Sequence, residues 1–298
     1  MTNPYRGQGV PVSASEFSHE ATSRHIDVDG LDIHYHEAGE GPVVILLHGA
    51  GPGVSGWANF EDNLPYFAAR MRTIIVDQPG FGESQGCEFD GDFFSHSART
   101  LVKLMDKLGI DKAHLVGNSL GGGVAARFAL DYADRADRLA LMGPGGLTTR
   151  LFTPEPTLGH TRLYDFSAPP GPSKEKLEVF MNGMVFDTSF VTEEMVADRF
   201  ARSQRPEAAV NFERMRVSFL EGEGQVRGQL WREASRIEHE TLLLWGREDL
   251  VNPYDGGLFA FSQMPNVSLH VMSRCGHWAQ VERAKEFNRV VTGFLLDD

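Results

Sequence analysis

Buried-strand signatures recur along this chain with helical patterns between them, and that alternation points to its fold class. Val43-Val44-Ile45-Leu46-Leu47 is continuous and β-branched, the composition of a strand covered on both faces of a parallel sheet. Similar runs return at 73–76, 113–116, 139–142, 241–245 and 267–272. Residues 31–37 instead alternate apolar and polar, the period of a half-exposed strand. Between the runs lie helical patterns, such as 97–108 with Leu101, Leu104, Met105 and Leu108 at helix spacing. Strands alternating with helices predict an α/β chain built on a doubly wound, mostly parallel sheet.

One interval breaks the rhythm. From 147 to 231 no buried-strand pattern occurs. A proline-rich stretch (Pro154, Pro156, Pro169, Pro170, Pro172) is followed by helix-like segments at 174–184 and 192–202. The second opens with Thr192 as N-cap and Glu193 and Glu194 in its first turn. The run at 241–245 then resumes the sheet. The expected organisation is a loosely held or surface-lying tail (1–22), a first part of the core (23–146), an inserted helical lid (147–232) and a second part of the core (233–298).

At 298 residues the chain is long enough to bury a sizeable core. Its formal charge of −13 argues against nucleic acid or an anionic membrane as partner. It leaves an anionic small molecule open, because one local arginine outweighs a diffuse surface field. Two cysteines, Cys87 and Cys275, make no disulfide framework and no zinc site, so neither metal nor cofactor is expected. The first twenty residues are polar and hold no signal-type apolar run, and no run is long enough to span a bilayer. A cytoplasmic enzyme is expected.

The chemistry begins at Gly117-Asn118-Ser119-Leu120-Gly121, placed between an apolar strand pattern and a small-residue helical segment. That is the context of a nucleophile elbow, in which a serine sits on a sharp strand-to-helix turn. The helix N-terminus behind it offers free N–H groups and partial positive charge to a developing oxyanion. A serine hydroxyl needs a base, and the base an orienting acid, expected here in the order Ser, acid, His. Asp249 stands just past the strand 241–245, and His277 just past the strand 267–272, where parallel sheets gather their active sites. Glu248 competes with Asp249 as the acid, and the residues alone leave the two open. His48-Gly49-Ala50-Gly51-Pro52-Gly53 directly follows a core strand and matches the loop that supplies half of an oxyanion hole, here Ala50 and Gly51. The Leu120 N–H would supply the other half. His48 is read as fixing that loop, Asp77 as a structural turn, Cys275 as packing and Cys87 as incidental.

Taken together, His48-Gly49-Ala50-Gly51-Pro52-Gly53, Trp57-Ala58-Asn59-Phe60, Gly117–Gly122, Met142-Gly143-Pro144-Gly145-Gly146 and Cys275-Gly276-His277-Trp278-Ala279-Gln280 resemble the meta-cleavage product hydrolases. These are α/β-hydrolase fold enzymes of aromatic and steroid ring degradation. The resemblance covers the chain from about Ser23 onward. In the lid, Leu151-Phe152-Thr153-Pro154 and Met184-Val185-Phe186-Asp187 are most similar to the branch acting on diseco-steroid and biphenyl ring-fission products.

The resemblance implies hydrolysis of the C5–C6 bond of a 2-hydroxy-6-oxo-hexa-2,4-dienoate, giving 2-hydroxypenta-2,4-dienoate and a carboxylic acid. It implies Ser119 as nucleophile, His277 as base and proton carrier, and Asp249 as its orienter. Arg199 would pair with the dienoate carboxylate, with Asn59, Asn118 and Trp278 around it. A homodimer or higher oligomer is also implied. Two positions depart from the family pattern: Leu250 stands where an arginine is usual, and Ala50 replaces a glycine of the oxyanion loop. A general carboxylesterase of the same fold is the competing reading.

Overall fold

The computed structural model describes residues 16–89, 91–149 and 152–297. Its eight strands are β1 (Ser23–Val28), β2 (Leu31–Ala38), β3 (Val43–Leu47), β4 (Arg72–Val76), β5 (Ala113–Asn118), β6 (Ala136–Met142), β7 (Thr241–Gly246) and β8 (Val267–Met272). They form one sheet in the order β1-β2-β4-β3-β5-β6-β7-β8. β1 and β2 pair antiparallel, β2 also runs antiparallel to β4, and the remaining pairs are parallel.

The side-chain period of two explains why the central strands read as unbroken apolar runs. Ile45 and Leu47 of β3 enter one hydrophobic core with Leu115, Leu141 and Trp245. Val44 and Leu46 of the same strand enter a second core with Val116, Met142 and Leu244. Each face is then covered by helices. α1 (His19–Thr22), α2 (Gly56–Phe60), α3 (Leu64–Ala68), α4 (Phe93–Lys107) and α5 (Leu120–Asp131) fall before β6. Phe60, Leu64 and Phe67 from α2 and α3 cover the second core, while Leu101 and Leu104 of α4 and Phe128 of α5 cover the first.

The interval between β6 and β7 is helical among its described residues. It contains α6 (Leu158–Ser167), α7 (Lys174–Asn182), α8 (Glu193–Ser203), α9 (Pro206–Val217) and α10 (Gly222–Arg227). Thr192 caps α8 by accepting from the Met195 N–H at 3.2 Å. This region has a core of its own, with Phe166, Leu177, Phe180, Met181 and Val196, closed by Val251 and Trp278 from the sheet side. Leu151, one of the lid positions carrying the family resemblance, lies outside the described residues, as do residues 1–15 of the expected tail. The chain ends through α11 (Tyr254–Gln263), α12 (Ala279–Glu282) and α13 (Ala284–Leu296).

One feature departs from the expected strands. β1 carries no clear alternation because five of its six residues are at least partly exposed, and its pairing with β2 makes it a strand. Residues 16–22 lie mostly at the surface, with Phe17 packed against the second core and Thr22 buried.

Candidate active site

β5 delivers Ser119 to the top of the sheet. The residue adopts φ +53° and ψ −111°, a conformation a non-glycine residue holds only when its surroundings enforce it. Three backbone bonds do so: the Ser119 N–H donates to the Met142 carbonyl, and its own carbonyl accepts from Gly123 and Gly145. The flanking glycines answer to close approach. A Cβ on Gly121 would lie 2.1 Å from the Leu47 carbonyl oxygen, and one on Gly117 would lie 2.4 Å from that of Gly121.

Asp249 and His277 are brought together from the loops after β7 and β8. Both are 4% exposed. His277 Nδ1 lies 2.7 Å from Asp249 Oδ2, and a carboxylate can only accept, so Nδ1 carries the hydrogen and Nε2 is left as the basic nitrogen. The other carboxylate oxygen accepts from the Val251 and Asn252 N–H groups at 2.8 and 2.9 Å. The His277 backbone is fixed through its N–H to the Met184 carbonyl at 2.7 Å. Glu248 turns elsewhere, accepting from the Cys275 N–H and pairing with Arg247.

Ser119 and this pair meet around Gly143, the residue after Met142. A Cβ there would lie 3.0 Å from Asp249 Oδ2 and 3.2 Å from His277 Nδ1. Asn118 donates its side-chain amide to the His277 carbonyl at 3.3 Å. Among the described residues no hydrogen bond joins the Ser119 hydroxyl to His277, a contact that commonly tightens only with substrate bound.

The loop after β3 lies against the serine, since a Cβ on Gly49 would stand 3.2 Å from Ser119 Cβ. Asn59 steadies that loop by accepting from the Gly49 N–H at 3.3 Å. The backbone N–H groups of Ala50, Gly51 and Leu120 have no acceptor among the described residues. One free donor directly after the serine and two on the loop that lies against it suit a developing negative charge. His48 is spent on holding the loop: its Nδ1 donates to Gly49 O at 2.7 Å, and its Nε2 accepts from the Gln78 N–H at 3.0 Å. Burial pushes its pKa down. Asp77 accepts from Gly56, Glu83 and His34 and is a turn residue. Cys275 is buried, and burial raises its thiol, with Glu282 adding to the rise. Cys87 lies 3.5 Å from His96 Nε2, and burial raises its pKa too.

Arg199 descends from α8 onto this loop. It is 5% exposed. Its Nε donates to the Pro52 carbonyl at 2.8 Å, and its guanidinium carbon lies 5.0 Å from the Trp278 ring centre and 5.9 Å from that of Phe180. Its Nη2 is so close to Gly51 that a Cβ there would sit 2.9 Å away. Among the described residues no carboxylate pairs with it. Burial first, and Arg202 second, pull its pKa down to about 9. A buried cation without an anion is costly, and the group is stabilised by whatever anion enters.

Asn59, Arg199 and Trp278 line one cavity of about 70 Å³ together with Gln280. Gln280 is 1% exposed and neither polar atom of its side-chain amide has a partner among the described residues; Asn118 Oδ1 is likewise buried and unpartnered among them. The sequence reading had not singled out Gln280, nor Phe180, Gly143 or Asn252. Gln280 could have been suspected from its place two residues after Trp278, whereas Phe180 sits at a helix position that reads simply as packing. A larger cleft of about 1220 Å³ lies elsewhere and is lined by none of Asn59, Arg199 and Trp278.

Comparison with known proteins identifies the fold and the family. The α/β-hydrolase fold family matches residues 42–284. A 2-hydroxy-6-oxo-6-phenylhexa-2,4-dienoate hydrolase of Burkholderia cepacia is 42% identical, covering 95% of this chain and 99% of its own. The chain belongs to the meta-cleavage product hydrolases. A 2-hydroxy-6-oxononadienedioate/2-hydroxy-6-oxononatrienedioate hydrolase of Comamonas testosteroni is 42% identical over the same shares. Among solved structures, a meta-cleavage product hydrolase of Pseudomonas fluorescens, a serine-to-alanine mutant complexed with acetates, superposes with a TM-score of 0.81 at 34% identity, covering 93% of this chain and 98% of that one. These meta-cleavage product hydrolases share the α/β-hydrolase fold.

Proposed function

We propose that this chain hydrolyses the C5–C6 bond of a 2-hydroxy-6-oxo-hexa-2,4-dienoate, with Ser119, His277 and Asp249 as its catalytic residues. Arg199 carries this reading: a buried cation without an acidic partner, touching the oxyanion loop, is matched by the carboxylate at one end of such a dienoate. A planar guanidinium fork suits that group. Asn59, Asn118, Trp278 and the unpartnered amide of Gln280 surround the same end.

In the first step the dienol is converted to its keto form, the proton on the 2-hydroxyl being lost and C5 gaining one, with His277 as the carrier. Ser119 then adds to the C6 carbonyl as His277 Nε2 takes the hydroxyl proton. The resulting oxyanion is held by the N–H groups of Leu120 and of Ala50 or Gly51. Collapse breaks C5–C6, the electron pair leaves onto the keto-stabilised fragment, and the protonated His277 gives its proton to the resulting dienolate, which becomes 2-hydroxypenta-2,4-dienoate and leaves the imidazole neutral for the next step. Water activated by His277 releases the carboxylic acid from Ser119. Asp249 keeps the imidazole in the required tautomer throughout.

The two relatives of equal identity differ in the group on C6, one name specifying phenyl and the other a chain that ends in a second carboxylate. The likeness of Phe152-Thr153-Pro154 and Met184-Val185-Phe186-Asp187 to the branch acting on diseco-steroid and biphenyl products favours an apolar substituent, of aryl size or extending to a steroid remnant. Leu250 has little part in that choice, since its side chain is 39% exposed and its carbonyl accepts from the Gly159 N–H. We place the enzyme in the cytoplasm as a homodimer or higher oligomer, without cofactor. Arg199→Ala separates the two enzymatic readings. Dienoate cleavage should collapse while hydrolysis of a neutral aryl ester persists; equal losses, or none, would favour a general carboxylesterase.

A further inference from the structure

Away from the serine, β2 carries His34 and His36 two residues apart, and the strand period puts both on the same face of the sheet. α1 lays His19 over them. The three rings offer one nitrogen each within 4.8 Å of one another. Such a group is ordinarily a set of core histidines satisfied by neighbours, but two details here differ.

First, the tautomer of His36 follows from its partners. The Thr22 hydroxyl donates to the Ser18 carbonyl at 2.9 Å and so can only accept from His36 Nδ1, also at 2.9 Å. Nδ1 therefore carries the hydrogen and Nε2 is a bare lone pair. That atom is fully buried and has no partner among the described residues, in a residue that is 0% exposed.

Second, His34 has the support that metal-bound imidazoles have. Its Nδ1 donates to the buried carboxylate of Asp77 at 2.7 Å, which turns Nε2 into the basic atom. At Nε2 the Ser23 hydroxyl is 2.9 Å away, a single contact that an ion would displace. His19 is half-exposed, with Nε2 3.4 Å from Glu83, and gives the cluster an opening to solvent.

We propose that His19, His34 and His36 form a binding site for a divalent transition-metal ion of the zinc class. Three neutral nitrogens suit such an ion and not calcium or magnesium, which take oxygen ligands. Zinc–nitrogen bonds of about 2.0–2.1 Å put tetrahedral ligand atoms about 3.4 Å apart, so the rings must close by roughly 1 Å. His19, on a four-residue helix, can supply that movement. An ion there clamps the segment 16–22 onto the sheet edge. Through His34 and Asp77 it also braces the turn at Gly56. It takes no part in the proposed hydrolysis.

The test is titration of the chelator-stripped full chain with Co²⁺, followed by its visible absorption, and with Zn²⁺, followed calorimetrically and by thermal unfolding. The site requires one ion per chain, a tetrahedral cobalt spectrum and a higher Tm with zinc. His19→Asn and His36→Asn should each weaken binding at least about tenfold, and His19→Asn should leave colour loss from a dienoate unchanged. Because His19 is half-exposed, its variant keeps the test readable should His36→Asn fail to fold. Absence of binding, or binding of undiminished affinity in His19→Asn, overturns the proposal.

Discussion

At the scale of single residues, Arg199 connects stability with function. The cation is buried without a counter-charge, so it should weaken the free protein while serving the bound state. Arg199→Met is therefore expected to raise Tm, by about 2–4 °C for each kcal/mol recovered. The same change should lower kcat/KM for a dienoate by roughly 30-fold to several thousand-fold, the about 2–5 kcal/mol typical of truncating a buried charge pair. Thermal unfolding and steady-state kinetics on one preparation check both signs. Asp249→Asn is expected to reduce kcat by roughly 10⁴, because an amide in that place supports the wrong imidazole tautomer.

Elements carry these residues, and their fit is testable separately. Gly121 is where α5 crosses the end of β3, and no side chain fits against the Leu47 carbonyl. Gly121→Ala should cost more than about 4 kcal/mol or prevent folding, measured by denaturant unfolding. α4 meets the loop at 87–89 through His96, which stacks on Phe89 at 4.5 Å. Burial, then Arg99, lower its pKa to about 4. The unfolded chain binds the extra proton between pH 6.5 and about 4, so stability falls as pH drops through that window. His96→Gln should flatten that part of the acid limb in a urea-unfolding series. β3 through β7 were legible in the sequence because strands covered on both faces leave continuous apolar runs. The run at 267–272 was also placed correctly, but it is the edge strand β8, with five of its six residues at least partly exposed rather than buried on both faces. β1 was not, since its residues face solvent and only its partner defines it. The start of α4 at Phe93 was also missed: its cap is made by Asp92 accepting from the Ser95 N–H, before the periodic stretch begins.

For the whole molecule, the order of motifs was readable because the parallel sheet fixes which loops share an end. The Asp249–His277 hydrogen bond follows from two loops after neighbouring strands, and each residue was nameable from its position alone. What the pattern could not state is which polar groups the fold leaves without partners. Arg199 reads as an ordinary helix arginine until α8 is laid on the oxyanion loop. Gln280 and His36 become conspicuous only when burial and hydrogen bonding are known. Unpartnered polar atoms are properties of packing, and here they mark the sites proposed for an anionic substrate and for a metal ion. The central claim is tested most directly by mixing the purified chain with the yellow 6-phenyl ring-fission product and following its colour. Fading is expected, with one equivalent each of 2-hydroxypenta-2,4-dienoate and benzoate formed, and Ser119→Ala should leave the colour standing. Persistence of the colour with the parent chain, or equal fading with Ser119→Ala, would contradict it.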